Sequence, residues 1–439
     1  MSAAQLHSLV APLPQRHYSL VCQECGSRIA DDGFILQCAN RHQPALLKTV
    51  YTAKKFDPDP DAAGIFRYRR WLPFAHRLDG TATTQTYQSE RLSRFTGLPN
   101  LWLALNGYWP ERQALLTTTT FKELEAYAVL SRLPIDYGDV LVVASAGNTA
   151  AAFAQSCSRN RRPCLIIIPR NALPKLRFID PLDPCVQIVT LSGDADYYDA
   201  ILVAEHVSRV EGFFPEGGVR NVARRDGIAT TLLNAVEKSG SLPDYYFQAI
   251  GSGTGGIAIH EAARRLLSDH RFGLKLPRLM LSQNAPFVPI VQSWKLGTRQ
   301  LVDQNRIEAK KCINQIAAPV LSNLHPPYST RGGVFDVLTE SRGDMLSATN
   351  AEALEAAGIF QELEGIDIDP AAGVAFATLL KACKKGMIDT RATVLLHITG
   401  AGSQRREKDY RLVAADSTLD IDLQTLGLEA AVTRVLNLF

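Results

Sequence analysis

The alternation of short buried segments with helical segments is the feature of this sequence that most restricts its fold. Parallel strands that are covered on both faces read as unbroken apolar runs, and helices usually connect them. The apolar runs are residues 140–144, 164–168, 186–191, 246–250, 279–282 and 394–398. The segments with helical spacing are residues 149–158, 198–210 and 257–267. We therefore predict an α/β fold built on parallel sheets. Residues 66–74 and 98–105 also read as apolar strands.

Length, charge and cysteine content limit the class of protein. A chain of 439 residues predicts two lobes and a small appendage. The net charge of +3 gives no reason to expect a nucleic-acid partner. No apolar run approaches the roughly 20 residues of a membrane span, and the first twenty residues lack the features of a signal peptide. The 8 cysteines are too sparse for a disulfide scaffold. We expect a cytoplasmic protein without a membrane partner.

The glycine-rich segment 251–256 lies directly between a predicted strand and a predicted helix. Glycine removes the side chain, so backbone N–H groups can turn together toward a phosphate, and the helix start adds its positive dipole end. Ser252 and Thr254 can donate hydroxyl groups. A Walker loop is excluded because it requires a lysine that this segment lacks. A dinucleotide-binding loop would fit the glycine spacing, but no acidic ribose-binding residue follows about 20 residues on. A monophosphate cofactor is the favoured ligand, and a purely structural turn is the alternative.

Residues 145–149 form a second small-residue segment between a strand and a helix. Its backbone N–H groups can bind a carboxylate at the helix start. Ser145, Gly147 and Thr149 are therefore candidates for substrate binding. The amide of Asn148 can bond a phenolic oxygen, although Asn and Thr are also ordinary helix-capping residues.

Two further segments place polar side chains at the ends of predicted elements. Lys122 stands at a turn-to-helix junction after the threonines at 117–120, where a lysine is usually solvated. Thr120 is a further candidate for substrate binding. Thr399 closes the last buried strand, where its hydroxyl can cap the strand or face a heterocycle nitrogen.

Four metal-binding side chains lie in the first fifty residues. Cys22 and Cys25 are spaced C-x2-C, and Cys38 and His42 follow with C-x3-H spacing. Four such ligands suit a tetrahedral, structural zinc site. The alternative is a metal-free remnant of such a site, since the second C-x2-C pair is missing.

In this order and spacing, the segments around Lys122, Asn148, 251–256 and Thr399 resemble the fold type II pyridoxal phosphate (PLP) enzymes. That is the class of the tryptophan synthase β-subunit and threonine synthase. The resemblance extends to the cysteine-bearing N-terminus and to 67–73, and residues 364–366 and 369–372 echo the late segment of that family. It implies two three-layer α/β lobes with a small N-terminal segment, PLP as cofactor, an amino-acid substrate and a homodimer.

The resemblance also assigns roles to individual residues. Lys122 would form the Schiff base with the cofactor, and Asn148 would bond its ring hydroxyl oxygen. Thr399 would face the pyridine nitrogen. The phosphate would be held by Gly251, Ser252, Gly253, Thr254, Gly255 and Gly256. The implied division of the chain is an N-terminal segment (1–48), a large PLP-binding domain (49–125 and 215–439) and a small mobile α/β domain (126–214).

The lysine segment departs from the threonine synthases, which typically show S-F-K-D-R-G where this chain has T-F-K-E-L-E-A. Together with G-Y-W-P-E at 107–111, it is similar to cysteate synthase, a related branch that converts O-phosphoserine and sulfite into cysteate and phosphate. The anions would be bound by the threonines at 117–120 or by Arg220, Arg224 or Arg225.

Other functions stay open from the sequence alone. They are threonine synthase acting on O-phosphohomoserine, β-replacement with another nucleophile, a catalytically silent PLP-binding protein, and a nicotinamide-dependent oxidoreductase. A PLP absorbance band would separate the last from the others.

Overall fold

The structure is a computed structural model that describes residues 16–145 and 147–439. The expectation about a signal peptide concerns residues 1–20 and therefore lies mostly outside the described residues, as does Ala146 of the segment 145–149.

The strands of the described residues are β1 (Tyr18–Cys22), β2 (Arg28–Ile29), β3 (Leu47–Tyr51), β4 (Gln85–Gln88), β5 (Leu101–Leu105), β6 (Tyr108–Trp109), β7 (Ala114–Leu115), β8 (Val140–Ala144), β9 (Cys164–Pro169), β10 (Arg177–Phe178), β11 (Val186–Leu191), β12 (Phe213–Pro215), β13 (Tyr245–Ala249), β14 (Arg278–Asn284), β15 (Asp344–Ala348), β16 (Val394–Ile398), β17 (Val413–Ala414) and β18 (Leu419–Ile421).

The α-helices are α1 (Glu90–Thr96), α2 (Lys122–Arg132), α3 (Asn148–Arg159), α4 (Tyr197–Val207), α5 (Val222–Ser239), α6 (Thr254–Asp269), α7 (Pro289–Lys295), α8 (Arg306–Ile313), α9 (Val334–Ser341), α10 (Asn350–Glu364), α11 (Pro370–Lys384), α12 (Ser403–Asp409), α13 (Leu423–Leu426) and α14 (Leu428–Leu436). Short 3-10 helices span Gly64–Trp71, Pro110–Arg112, Arg170–Lys175, Gly218–Arg220 and Pro319–Leu321.

The larger lobe is built on a six-stranded sheet in the order β15-β14-β13-β16-β5-β4. Its strands are parallel except for the edge strand β4, which runs antiparallel to β5. Strand β16 is buried along its whole length, as expected for a strand covered on both faces. The strands β13 and β16 are neighbours, so the segments that follow them emerge at the same edge of the sheet.

The smaller lobe is built on a five-stranded parallel sheet in the order β12-β8-β9-β11-β18. Its last strand, β18, comes from a part of the chain that the sequence placed in the larger domain. The side chain of Ile421 on β18 packs in the apolar core of this lobe with Ala431 and Val435 of α14, which explains why the C-terminal residues lie here.

The sequence predicted most of these buried strands. The runs at 140–144, 186–191 and 394–398 coincide with β8, β11 and β16. The predicted helices at 149–158 and 257–267 lie within α3 and α6, and the one at 198–210 extends three residues beyond the end of α4. These elements confirm the predicted α/β fold with parallel sheets.

The predicted strand at 66–74 is wrong, because a 3-10 helix spans Gly64–Trp71. Its apolar side chains Ile65, Tyr68 and Trp71 are buried and stand three residues apart, which is the 3-10 period rather than the strand period. The intervening Arg67 forms an ion pair with the partly buried Glu237, so this polar side chain also has a partner.

The N-terminal segment forms a three-stranded antiparallel sheet in the order β2-β1-β3. Its inner face carries Tyr18, Leu20 and Cys22 into the large core. A helix long and apolar enough to cross a membrane does not occur among the described residues.

Candidate functional site

Lys122 begins α2 and lies beside the segment that follows β16. The backbone N–H of Phe121 donates to the carbonyl oxygen of Thr399 at 3.0 Å, and that of Ala401 donates to Thr119 at 3.0 Å. An antiparallel bridge joins Thr120 to Gly400 between these bonds. The structure therefore brings the predicted Lys122 and Thr399 together across two adjacent segments.

The glycine loop leaves β13, which pairs with β16, so it emerges at the same sheet edge. Gly253 has a φ of +81°, and a Cβ there would lie 2.2 Å from the Cγ2 of Val334. A Cβ on Gly255 would lie 2.3 Å from the amide nitrogen of Gln248. The hydroxyls of Ser252 and Thr254 lie 2.8 Å apart at the start of α6. Both positions therefore require glycine, because the neighbouring side chains of Val334 and Gln248 occupy the space that a Cβ would need.

Asn148 reaches this region from the smaller lobe, where it begins α3 after β8. Its side chain acts to lower the pKa of Asp369, and the backbone N–H of Asp369 donates to the carbonyl oxygen of Gly400 at 3.0 Å. Burial, followed by repulsion from Asp367, raises the pKa of Asp369 to about 6. The loop with Asn148 therefore meets the segment that follows Thr399.

The amine of Lys122 is largely enclosed, with 19% of the side chain exposed. Its Nζ donates to the Oε1 of Glu125 at 2.6 Å, one turn along α2. Burial is the largest influence and lowers the pKa of Lys122, as does the charge of Arg224, while Glu125 opposes this by its charge and hydrogen bond. The expectation that a lysine at a turn-to-helix junction is solvated is therefore wrong for Lys122.

The three candidate arginines occupy different environments. Arg224 lies 2.8 Å from Glu125 and 2.7 Å from Glu216. Of the three arginines, it is the one whose charge lowers the pKa of Lys122. Arg225 is fully buried and binds Glu261 and the carbonyl of Val219. Arg220 is exposed on a 3-10 helix. Because Glu125 and Glu216 already balance the positive charge of Arg224, this arginine attracts a substrate anion only weakly.

A buried polar chain lies behind Lys122. The amide of Asn106 donates to the Nε2 of His397 at 2.7 Å, and the hydroxyl of Tyr246 lies 2.6 Å from its Nδ1. The Tyr246 hydroxyl also donates to Gln248, the residue that faces Gly255. Burial, assisted by the charge of Lys122, lowers the pKa of His397 to about 3. His397 is therefore neutral near neutral pH and adds no charge to the site.

The residues of this region fit PLP. Lys122 lies beside the segment that follows β16, and the glycine loop follows the neighbouring strand β13 and ends at the start of a 16-residue helix. The Oγ1 of Thr120 is buried and has no hydrogen-bond partner within residues 16–145 and 147–439. This hydroxyl lies two residues before Lys122 and is therefore available to a ligand.

The four metal-binding side chains of the N-terminal segment form one cluster, with all four ligand atoms within 4.8 Å of one another. The Sγ of Cys22 lies 3.4 Å from the Nε2 of His42, and the Sγ atoms of Cys25 and Cys38 lie 3.8 Å apart. The other ring nitrogen of His42 contacts the carbonyl oxygen of Gln43 at 2.7 Å, which leaves Nε2 free to face the thiols.

Sequence reasoning did not identify Glu125, Glu216, Asp369 or His397 as site residues. Glu125 had a local signal, because residues three apart on a helix lie on one face. Asp369 lay in a segment noted for its resemblance to threonine synthase. Glu216 joins the site through a contact with Arg224 that no local pattern encodes.

Comparison with known proteins adds independent findings. Residues 78–400 match the family model described as pyridoxal-phosphate dependent enzyme. The chain is 44% identical to a cysteate synthase of Methanocorpusculum labreanum over 88% of this chain and 93% of that protein. It is 43% identical to a cysteate synthase of Methanocella paludicola over 94% of this chain and 96% of that protein.

Solved structures resemble the fold. Maize serine racemase gives a TM-score of 0.55 at 17% identity and covers 74% of this chain and 93% of its own. Processed threonine deaminase isoform 2 from Solanum lycopersicum gives a TM-score of 0.53 at 16% identity and covers 74% of this chain and 86% of its own. These similarities support the predicted fold type II architecture.

Proposed function

The chain belongs to the pyridoxal-phosphate dependent enzyme family, and from this premise we propose that it converts O-phosphoserine and sulfite into cysteate and phosphate. In this β-replacement the Cβ–O bond to phosphate breaks and a Cβ–S bond to sulfite forms. The observation that carries the proposal is that the segment of Lys122 is bonded to Thr399 after β16, while the glycine loop follows the neighbouring parallel strand β13. The choice of substrates rests on the similarity to cysteate synthases.

The cofactor would be held at several points by residues of both lobes. Lys122 would attach it covalently, and Asn148 would donate to its phenolic oxygen. The glycines of 251–256, with the hydroxyls of Ser252 and Thr254, would bind its phosphate at the start of α6. Thr399 would face the ring nitrogen with a hydroxyl, which does not stabilise a protonated ring nitrogen as a carboxylate would.

When bound, PLP supplies an electron sink for negative charge at the substrate α-carbon. Lys122 would remove the α-proton onto Nζ and later return it to the same carbon. Residues 145–149 would bind the substrate carboxylate through Ser145, Gly147 and Thr149 at the start of α3. Thr120, whose hydroxyl has no partner among the described residues, would donate to an anionic group of the substrate.

A substrate panel tests the proposed reaction. We expect phosphate release from O-phosphoserine to depend on sulfite and to produce cysteate in equal amount. The value of kcat/KM for this pair should exceed that for O-phosphohomoserine by about 10²-fold, because an added methylene displaces the phosphate from its subsite and misalignment of about 1 Å is costly. Phosphate release and cysteate are measured in parallel.

Omission of sulfite is the control for the nucleophile. Faster formation of threonine from O-phosphohomoserine would contradict the proposal and identify a threonine synthase. Reaction of O-phosphoserine with a different nucleophile in preference to sulfite would contradict the proposed product alone.

We also propose that Cys22, Cys25, Cys38 and His42 bind a structural zinc ion. For tetrahedral zinc with Zn–S bonds of about 2.3 Å, two sulfur ligands lie about 3.8 Å apart, and the Cys25 and Cys38 sulfurs are 3.8 Å apart. Four protein ligands leave no open position for substrate, which supports a structural rather than a catalytic role.

Metal analysis tests the zinc proposal. Protein purified without chelator should contain about one zinc per chain, because four ligands close the site. Cys38→Ala should lose most of this zinc, whereas Cys383→Ala, which changes a cysteine outside the cluster, should retain it. Absence of zinc from the unaltered protein would indicate a metal-free remnant.

Three further properties belong to the same proposal. None of the 8 cysteines, all of which lie within the described residues, forms a disulfide, which supports a reducing cytoplasmic location. The family resemblance supports a homodimer. The smaller lobe carries the loop with Asn148, so its motion relative to the larger lobe would open and close the site.

A further inference from the structure

Four side chains of alternating charge form a row that begins at the amine of Lys122. Glu125 contacts Lys122 at 2.6 Å, Arg224 lies 2.8 Å from Glu125, and Glu216 lies 2.7 Å from Arg224. The exposed fractions of the last three side chains are 0%, 10% and 9%. The row joins α2 and α5 of the larger lobe to the segment after β12 of the smaller lobe.

Burial and, after it, the charges of the row influence how readily Lys122 holds a proton. Burial and Arg224 lower its pKa, while Glu125 and, more weakly, Glu216 raise it. His397 also faces the amine, but it is neutral near neutral pH because its pKa is lowered to about 3. Glu125 thus supplies the carboxylate in contact with the amine.

Arg224 connects Glu125 to the smaller lobe. It lies 2.8 Å from the Oε2 of Glu125 and 3.3 Å from the hydroxyl of Thr149, in the segment proposed to bind the substrate carboxylate. Tyr197 of α4 also faces it. One oxygen of the Glu125 carboxylate faces the amine of Lys122 and the other faces the guanidinium of Arg224, so Glu125 is held between two basic side chains.

We infer that Glu125 is a positioning residue that keeps on Lys122 the proton which the reaction moves between the α-carbon and Nζ. This inference rests on the proposed function. In the first half of the reaction the α-proton passes to Nζ, and the Glu125 carboxylate forms an ion pair with the resulting ammonium. After sulfite has added to Cβ, Nζ returns the proton to the α-carbon. Glu125 does not need to touch the substrate in either half.

The test is a pH titration of the visible cofactor absorbance in the holoenzyme without substrate. Glu125→Gln should lower the pKa of the lysine–cofactor linkage by about 1 to 3 units, because an opposite charge at this distance is removed. Glu216→Gln should lower it by less, since Glu216 acts from the far end of the row. The second variant provides the same readout if the first does not fold.

Glu123→Gln is the matched control. Glu123 lies on the same helix and is also fully buried, but it accepts hydrogen bonds from Thr118 rather than from the lysine. Its variant should leave the pKa of the linkage unchanged. With O-phosphoserine and sulfite as substrates, the kcat of Glu125→Gln should be about 10²-fold lower than that of the wild-type protein, with a smaller change in KM.

Two outcomes would overturn the inference. One is a titration that neither Glu125→Gln nor Glu216→Gln displaces, and the other is an equal displacement in Glu123→Gln. Failure of the wild-type protein to react with O-phosphoserine and sulfite would instead contradict the proposed function. The titration requires no substrate, so the two failures can be distinguished.

Discussion

Replacing Lys122 with alanine should abolish covalent attachment of the cofactor and reduce turnover by at least about 10³-fold. The reason is that one amine has two tasks, holding the cofactor and moving the α-proton. Its position at the start of α2, bonded to Glu125 and beside Thr399, suits both. Borohydride reduction of the wild-type protein, followed by peptide mapping, should place the cofactor on the peptide that contains Lys122.

Lys381→Ala is the matched control for this experiment. Lys381 is also a partly buried lysine in an ion pair, at 2.9 Å from Glu352 on α10. Its removal should leave the labelled peptide and the turnover unchanged. Label on a lysine other than Lys122 in the wild-type protein would overturn the assignment of the cofactor-binding residue.

The parts of the site that the sequence predicted are those with a local physical signal. Unbroken apolar runs mark strands covered on both faces, so β8 and β16 were predicted at their observed bounds. The glycine loop was predicted because its backbone excludes side chains, and the steric contacts of Gly253 and Gly255 give the structural reason.

The parts that were missed depend on contacts between distant residues. Glu125 and Arg224 are 2.8 Å apart in space and lie on different helices, α2 and α5. Nothing in the neighbourhood of either residue indicates which partner it meets. For the same reason the sequence could not choose among Arg220, Arg224 and Arg225, whose surroundings differ only in the folded chain.

A buried ion pair joins the N-terminal segment to the far end of the same helix. Asp31 binds the guanidinium of Arg132, the last residue of α2, at 2.7 and 2.8 Å. Tyr18 also donates to Asp31, and Arg132 donates to Asn221, which caps α5. Neither side chain of the ion pair is exposed to solvent. The N-terminal segment is therefore attached to both helices that carry the charged row.

Asp31→Asn should lower the free energy of unfolding by about 3 to 5 kcal/mol, because it leaves the Arg132 charge buried without its partner. Asp57→Asn is the control, since it removes an ion pair with Arg70 in which both side chains are about 60% exposed, and it should cost less than about 1 kcal/mol. Urea denaturation followed by tryptophan fluorescence measures both.

The pH dependence of this difference has a definite sign. Burial alone would raise the pKa of Asp31, but the hydrogen bonds and charge of Arg132, together with Tyr18, hold it below its usual value. A carboxyl group whose pKa is lower in the folded state contributes its full stability above its unfolded pKa, which is about 3.9, and loses it as the pH falls through the folded pKa. The stability of the wild-type protein should therefore approach that of Asp31→Asn below about pH 4. A difference that stays constant through this acid range, or one no larger than that of Asp57→Asn, would show that Asp31 and Arg132 do not stabilise the fold as a charged pair.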